Sequence, residues 1–259
     1  MQKITIRKIK KKKNKTPIVC LTAYNTNTAK ILDKYCDIIL VGDSLGMVLY
    51  GMKTTREVKI ETMILHAKAV KKATKKSLVV FDMPYKTYKN KFLAFKNAKK
   101  VIKLTKCDAV KLEGGAQIAN IIMYLVKKGV PVLGHIGLLP QTSSNFKVKG
   151  KSFHQRKKIL EDAFAISNSG AFGLIIECVV ESLARKITKT ISIPTIGIGA
   201  SKFCDGQILV TEDMVGLSGF SPKFVKQYAN LNKSLENSVK NYAKDVKMKR
   251  FPFTKNVYK

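Results

Sequence analysis

The chain has 259 residues, 45% of them hydrophobic, which suits one large domain with a sizeable core and excludes a disordered or fibrous protein. Its 49 basic and 17 acidic residues give a formal charge of +32, yet the lysines are dispersed and arginine is scarce, which argues against specific nucleic-acid binding. Five cysteines without a CxxC pair, no membrane-length apolar run and no apolar signal segment predict a cytoplasmic protein.

Short apolar runs alternate with amphipathic stretches along the chain. Runs without polar alternation predict strands buried on both faces, as in a parallel sheet. The predicted strands are 17–23, 37–41, 77–82, 108–113, 131–136, 172–177, 194–199 and 214–218. The predicted helices are 25–35, 57–74, 92–105, 116–128, 155–169 and 181–190, then a short one after Cys204 and a C-terminal region, 222–246.

Eight strand–helix alternations without a break in composition predict an α/β fold, a (β/α)₈ or TIM barrel, as a single domain over residues 1–259. A doubly wound open sheet is the alternative. The basic segment 1–15 is expected to form an N-terminal arm. The Ser-, Lys- and Gly-rich segment 142–152 follows the fifth strand, and we expect it to be an active-site loop.

Six ionisable side chains lie at or near the C-terminal ends of the predicted strands: Asp43, Asp82, Lys111, Glu113, His135 and Glu177. These ends face one rim of a barrel, so the side chains should converge. Singly, Asp43 or Asp82 could be a cap or turn residue, Glu113 could precede a turn, and His135 could be a core histidine. Four acids at one rim, however, need a counter-charge, which a divalent cation and Lys111 would supply.

The donor types at this rim point to particular chemistry. Oxygen ligands without cysteine or clustered histidine favour Mg²⁺, with Mn²⁺ or Co²⁺ as substitutes. A 2-oxo acid could bind such an ion through its carboxylate and keto oxygens, which would acidify the neighbouring C–H for removal by a carboxylate base. The glycine-rich segment 197–200 lacks the GxGxxG pattern, so no nucleotide site is predicted.

Several further motifs occur in a fixed order along the chain. They are LTAY at 21–24, VGDSLGM at 41–47, DMP at 82–84, AVKLEGG at 109–115, GHIGLLPQ at 134–141, ECV at 177–179, IPTIGIGA at 193–200 and CDGQ at 204–207. In these motifs, and over about 16–253, the sequence resembles the 3-methyl-2-oxobutanoate hydroxymethyltransferase (ketopantoate hydroxymethyltransferase) family.

The resemblance implies an enzyme of pantothenate biosynthesis that acts on small molecules. Its reaction would transfer a hydroxymethyl group from 5,10-methylenetetrahydrofolate to 3-methyl-2-oxobutanoate, giving 2-dehydropantoate. One Mg²⁺ per subunit and a homodecamer are also implied. The implied site residues are Asp43, Asp82 and Glu113 (directly or through water) for the metal, Asp43, Ser44, Asp82, Lys111 and His135 for the substrate, and Glu177 as the catalytic base at C3.

Two departures from the family pattern concern neither the metal nor the base. Asn25 stands where the family usually has Asp, and Thr211-Glu212-Asp213 where His-Asp is common. Both bear on folate affinity or local packing. Two other functions stay open: a Mg²⁺-dependent carbon–carbon lyase of the phosphoenolpyruvate/pyruvate barrel superfamily, without folate, and a basic nucleic-acid-binding protein. For the second we expect only weak, sequence-independent binding.

Overall fold

Parallel strands close into a barrel in the computed structural model, which describes residues 2–143, 147–219 and 221–258. Each strand pairs with the next, and the last pairs with the first. The strands in this part of the chain are β1 (Ile18–Thr22), β2 (Ile38–Val41), β3 (Leu78–Asp82), β4 (Ala109–Glu113), β5 (Val132–Gly137), β6 (Gly173–Glu177), β7 (Thr195–Ile198) and β8 (Gly206–Leu209). The predicted (β/α)₈ fold is confirmed, and the open sheet is excluded.

Helices separate most of the strands. Among the described residues they are α1 (Ile6–Lys11), α2 (Thr26–Leu32), α3 (Leu45–Tyr50), α4 (Ile60–Ala73), α5 (Lys91–Thr105), α6 (Ala119–Lys127), α7 (Phe153–Asn168), α8 (Glu181–Thr190), α9 (Thr211–Met214) and α10 (Leu231–Lys247). Short 3-10 turns occur at Thr55–Glu57, Ala116–Ile118 and Thr254–Asn256. In the described part of the chain, none of the helices combines the length and apolarity needed to cross a membrane.

The chain divides into two compact units, one ending at Val210 and one beginning at Thr211. The first contains the barrel and the helices α1 to α8, and the second contains α9 and α10. The extent of a single domain over 1–259 stays a prediction.

The eighth predicted strand, 214–218, was wrong. Met214 ends α9, and the eighth strand is instead the four-residue β8, where we expected a short helix after Cys204. An apolar run does not by itself distinguish strand from helix. Closure also depends on Gly206, because a Cβ there would lie 2.4 Å from the Ile18 carbonyl oxygen of β1.

The C-terminal helix begins at Leu231 rather than 222, and the short helices α1 and α3 were not predicted.

Strand alternation separates two hydrophobic layers. One layer packs the outward-facing strand side chains against the helices. The other fills the barrel and includes Ile38, Leu78, Ala109 and Ile175, with Ile9 of α1 packed against them. The basic segment 1–15, expected as an arm, thus contributes a fully buried residue to this inner layer.

The segment 142–152 is described except for 144–146, so that part of the predicted loop lies outside the described residues. Lys149 forms a parallel bridge with Val179. Its backbone N–H donates to the Cys178 carbonyl at 2.7 Å, and its carbonyl accepts from Val180 N–H at 3.0 Å. The C-terminal part of the segment is therefore tied to the chain directly after β6, whereas its role as an active-site loop stays a prediction.

Candidate active site

The alternation that fills the barrel interior also selects the side chains at its rim. Successive inward-facing positions are two residues apart along a strand. From the inner-layer residues Leu78, Ala109, Leu133 and Ile175 this spacing leads to five rim residues. They are Asp82 on β3, Lys111 and Glu113 on β4, His135 on β5 and Glu177 on β6. The predicted convergence is thus a consequence of strand register.

Asp43, Asp82 and Glu113 form a cluster of buried carboxylates. Each offers an oxygen, and these three oxygens lie within 4.8 Å of one another. Burial raises the pKa of Asp43 well above its ordinary value, with further contributions from Asp82 and Glu113. Burial also raises the pKa of Asp82. Such a cluster fits a hard divalent cation, because oxygen atoms are its preferred ligands. The ionised carboxylates repel one another, and the charge of the cation would favour their ionised forms.

Lys111 is the buried ammonium beside this cluster. Its Nζ lies 2.8 Å from Asp82 Oδ1, 2.9 Å from Asp82 Oδ2 and 3.1 Å from Glu113 Oε1. Burial alone would lower the pKa of Lys111, but Asp82, Glu113 and Asp43 outweigh it and raise that pKa well above its ordinary value. Lys111 therefore stays charged and offsets part of the negative charge of the cluster.

His135 lies between the cluster and Glu177. Its Nδ1 is 3.5 Å from Glu113 Oε1, and its Nε2 is 3.2 Å from Glu177 Oε2. Neither ring nitrogen forms an aligned hydrogen bond with another described residue, so these contacts become ion pairs when the ring is protonated. Burial and Lys111 would lower the pKa of His135, but Glu113 and Glu177 raise it to about 9. The two carboxylates therefore favour the protonated form of the histidine.

Glu113 is held as an anion more firmly than its neighbours. Burial would raise the pKa of its carboxyl group, but Lys111, His135 and the backbone N–H of Gln141 outweigh that effect and lower it to about 2. Its Oε2 accepts a hydrogen bond from Gln141 N at 3.1 Å. Among the three clustered carboxyl groups, Glu113 therefore has the surroundings that most favour its ionised form.

The backbone around Glu177 is constrained on both sides. Leu138 N–H donates to the Glu177 carbonyl at 2.8 Å, and Cys178 N–H donates to the Ile198 carbonyl at 2.9 Å. A Cβ at Gly137 would lie 2.3 Å from the Glu177 carbonyl oxygen, so the close approach of β5 requires glycine. Cys178 has a φ of 49°, in the left-handed region that few non-glycine residues adopt. These constraints fix where the Glu177 side chain leaves the strand.

Ser44 directly follows Asp43 and is partly buried. Its Oγ lies 2.7 Å from the hydroxyl of the buried Tyr24. The structure thus brings the six ionisable rim residues close together at one end of the barrel and shows Ser44 in contact with Tyr24. The roles of all seven in metal, substrate and base chemistry stay predictions.

Two residues of this region were given no role from the sequence, Gln141 and Tyr88. Gln141 Nε2 donates to Asp43 Oδ2 at 2.8 Å, and Tyr88 Oη donates to Gln141 Oε1 at 2.6 Å. Gln141 ends the GHIGLLPQ motif, and its membership of that motif is the sequence feature that could have identified it as a site residue. Tyr88 follows the DMP motif by four residues and carried no signal of its own.

The departures from the family pattern have separate structural settings. Asn25 caps the N-terminus of α2, where its side chain accepts a hydrogen bond from Thr28 N–H at 2.9 Å. Aspartate could accept the same bond. Thr211, Glu212 and Asp213 lie in α9 of the second unit and are buried there.

Comparison with known proteins gives the family. The model of the ketopantoate hydroxymethyltransferase family matches residues 3–254. The chain is 51% identical over 248 residues to the 3-methyl-2-oxobutanoate hydroxymethyltransferase of Pelagibacter ubique (strain HTCC1062), covering 96% of both chains. It is 50% identical over 263 residues to a Rhizobium etli protein of the same name, covering 100% of this chain and 96% of the relative.

A solved structure supports the architecture independently. The chain resembles 2,3-dimethylmalate lyase, described as a PEP mutase/isocitrate lyase superfamily member, with a TM-score of 0.63 and 11% identity. The match covers 99% of this chain and 89% of that one, and at this identity it shows the fold alone. The predicted enzyme class and the resemblance found in the sequence are confirmed by the family match and the close relatives. The chain belongs to the ketopantoate hydroxymethyltransferase family.

Proposed function

We propose that the chain transfers a hydroxymethyl group from 5,10-methylenetetrahydrofolate to 3-methyl-2-oxobutanoate, giving 2-dehydropantoate. The observation that carries the proposal is the buried cluster of Asp43, Asp82 and Glu113, with Glu177 held on the far side of His135. This arrangement offers a cation site and a separate carboxylate base. The reaction follows from the family, whose members about 50% identical to this chain carry the name of that activity.

Mg²⁺ is the cation that we propose for the cluster. Asp43, Asp82 and Glu113 would hold it, since carboxylate oxygens without sulfur or imidazole ligands favour a hard ion. When bound, Mg²⁺ would polarise the keto group of the oxo acid and so make its C3–H more acidic. We expect one such ion in each subunit.

The other residues would bind the oxo acid and move its proton. Lys111 would offset the negative charge that develops on the keto oxygen, and Ser44 and His135 would provide polar contacts. Glu177 would take the proton from C3 onto its carboxylate. The electron pair left at C3 would then form the new carbon–carbon bond to the methylene carbon of the folate donor. Both carbon–nitrogen bonds to that carbon would break, water would supply the hydroxyl oxygen, and the two folate nitrogens would take up the proton from C3 and one from water, which leaves tetrahydrofolate.

The direct test is product formation by purified protein. With Mg²⁺, 3-methyl-2-oxobutanoate and 5,10-methylenetetrahydrofolate, mass spectrometry should detect 2-dehydropantoate, and omission of either the folate or the metal should abolish it. Exchange of C3–H in deuterated water would not distinguish this enzyme from a folate-independent lyase, whereas folate-dependent product does. Absence of product under these conditions would overturn the proposal.

Two further assignments complete the proposal. The five cysteines are free and buried, which suits a reducing compartment, and we place the protein in the cytoplasm. By resemblance to the family we propose a homo-oligomer, with the decamer as the expected form. Light scattering after size-exclusion chromatography tests the assembly directly.

A further inference from the structure

The loop that follows β5 contacts the carboxylate cluster through Gln141, which is 1% exposed. Its side-chain Nε2 donates to Asp43 Oδ2 at 2.8 Å and to the Met83 carbonyl at 3.0 Å. Its backbone N–H donates to Glu113 Oε2 at 3.1 Å. One neutral residue therefore contacts two of the three clustered carboxylates, and it does so from a different loop.

Tyr88 fixes the direction of the Gln141 amide. Its hydroxyl donates to Gln141 Oε1 at 2.6 Å, so the oxygen end of the amide has a donor. The two hydrogens of Nε2 are then directed to Asp43 and to the Met83 carbonyl. A flipped amide would place its oxygen against two acceptors, the Asp43 carboxylate and the Met83 carbonyl, and would lose both of these bonds. The orientation is determined by this network.

The backbone of Gln141 is also anchored. Arg56 Nε donates to the Gln141 carbonyl at 2.9 Å. Thr142 and Ser143 donate their N–H groups to the Leu139 carbonyl at 3.0 and 2.8 Å, which closes a turn around Gln141. Both the backbone and the side chain of this residue are thus held in place before any ligand binds.

We infer that Gln141 is a positioning residue for the proposed cation site. Tyr88 supports it by orienting the Gln141 amide, and its hydroxyl also accepts a hydrogen bond from the Glu113 N–H at 3.3 Å. Gln141 holds Asp43 and Glu113 by one oxygen each and keeps the cluster in the arrangement where one oxygen of each acid lies within 4.8 Å of the others. Hydrogen bonds to such ligands from surrounding residues orient them for the metal. The inference rests on the proposed function, because it concerns the same site.

Mn²⁺ titration of the full-length chain by calorimetry tests this role. Gln141→Ala should weaken Mn²⁺ binding about 10- to 100-fold, the usual effect of removing such a supporting group. Tyr88→Phe should weaken it about fivefold, as expected for one neutral hydrogen bond. The two losses should be less than additive in the double variant, because part of the contribution of Tyr88 passes through Gln141.

Gln207→Ala is the matched control. Gln207 is exposed on β8 and its Nε2 donates to the Ser201 carbonyl at 2.8 Å, so this variant loses a similar hydrogen bond away from the cluster. It should bind Mn²⁺ as the wild type does. Melting temperatures without metal separate a general loss of stability from a loss of metal affinity.

The outcomes separate the inference from the proposed function. If the wild-type chain bound no Mn²⁺, the metal site would fall and the inference with it. Wild-type affinity in both folded variants, beside a wild-type chain that binds Mn²⁺, would overturn the inference alone. If Gln141→Ala does not fold, Gln141→Met decides the matter, since it removes the side-chain amide and retains an unbranched side chain of similar length: reduced affinity supports the inference and unchanged affinity overturns it.

Discussion

Glu177→Gln separates proton removal from metal binding in the proposed reaction. The substitution replaces a carboxylate with a neutral amide of nearly the same shape. Glu177 lies 3.2 Å from His135, and its side chain is 16% exposed, so the amide fits without repacking. The cluster of Asp43, Asp82 and Glu113 lies on the other side of the His135 ring and keeps its own contacts.

The expected loss follows from what the carboxylate contributes. A positioned general base accelerates proton transfer by about 10²- to 10⁴-fold. At 1.36 kcal/mol for each factor of ten, this corresponds to about 3–5 kcal/mol in the barrier to C3–H cleavage. Mg²⁺ affinity should change by less than about threefold, because Glu177 is separated from the carboxylate cluster by His135.

Loss of the carboxylate should also alter the histidine. Glu113 and Glu177 together raise the pKa of His135 to about 9 against the opposing effects of burial and Lys111. In Glu177→Gln only Glu113 remains to raise it, so the pKa of His135 should fall. An NMR titration of the imidazole measures this change independently of turnover.

The assay is exchange of C3–H of 3-methyl-2-oxobutanoate in deuterated water, followed by proton NMR with Mg²⁺ present. Glu181→Gln is the matched control, since Glu181 is exposed at the start of α8 and accepts a hydrogen bond from Ser201 Oγ at 3.0 Å. The control should exchange at the wild-type rate. Equal exchange in Glu177→Gln and the wild type would remove Glu177 from the base role.

Two further predictions concern stability. Lys111→Met leaves buried carboxylates without their ammonium partner, which should cost about 3–5 kcal/mol and lower the melting temperature by about 6–20 °C. Lys96 is exposed, so the Lys96→Met control should melt at the wild-type temperature. Equal melting temperatures of the two variants would contradict the prediction. Asp108 lies 2.6 Å from Lys3 Nζ and 2.5 Å from Lys71 Nζ, and although burial opposes them, these contacts lower its pKa below the ordinary 3.8. A lowered folded-state pKa contributes stability that is fully present above the ordinary pKa and is lost as pH falls through the folded-state pKa. Calorimetry should therefore find Asp108→Asn about 2–4 °C less stable at pH 7, for about 1 kcal/mol after solvent screening, and this difference should shrink as pH falls below 3.8. A difference that did not shrink with falling pH in this range would contradict the ion-pair origin.

The sequence was most informative where the strand ends carry charge. An apolar run followed by an acid predicts a buried strand and marks its C-terminal end. Asp82, Glu113 and Glu177 each end an observed strand, so both the elements and the convergence of their side chains followed from local pattern. What local pattern could not supply was the pairing across the site, such as the contact of Lys111 with both Asp82 and Glu113.

Features that depend on distant chain segments were not predictable in the same way. The strand β8 is short, carries the exposed Gln207 and exists because Gly206 permits β1 to approach. Gln141 contacts Asp43 across 98 residues of sequence and Tyr88 across 53. Amides and phenols bear no formal charge at neutral pH, so the reasoning from counter-charge that identified the acids could not identify these two residues.

Formal charge at the rim links the structure to the proposed cation. If all were ionised, the four acids Asp43, Asp82, Glu113 and Glu177 would carry four negative charges, and Lys111 with a protonated His135 would supply two positive charges. The divalent ion that we propose would balance the remainder. In so buried a site an unbalanced charge is costly, and the raised pKa values of Asp43 and Asp82, caused first by burial, express that cost. Because a cation needs these carboxylates ionised, its affinity must decrease as pH falls and its binding must release protons. The same buried charge that identifies the site should therefore make metal binding and protonation compete for two of the proposed ligands, Asp43 and Asp82.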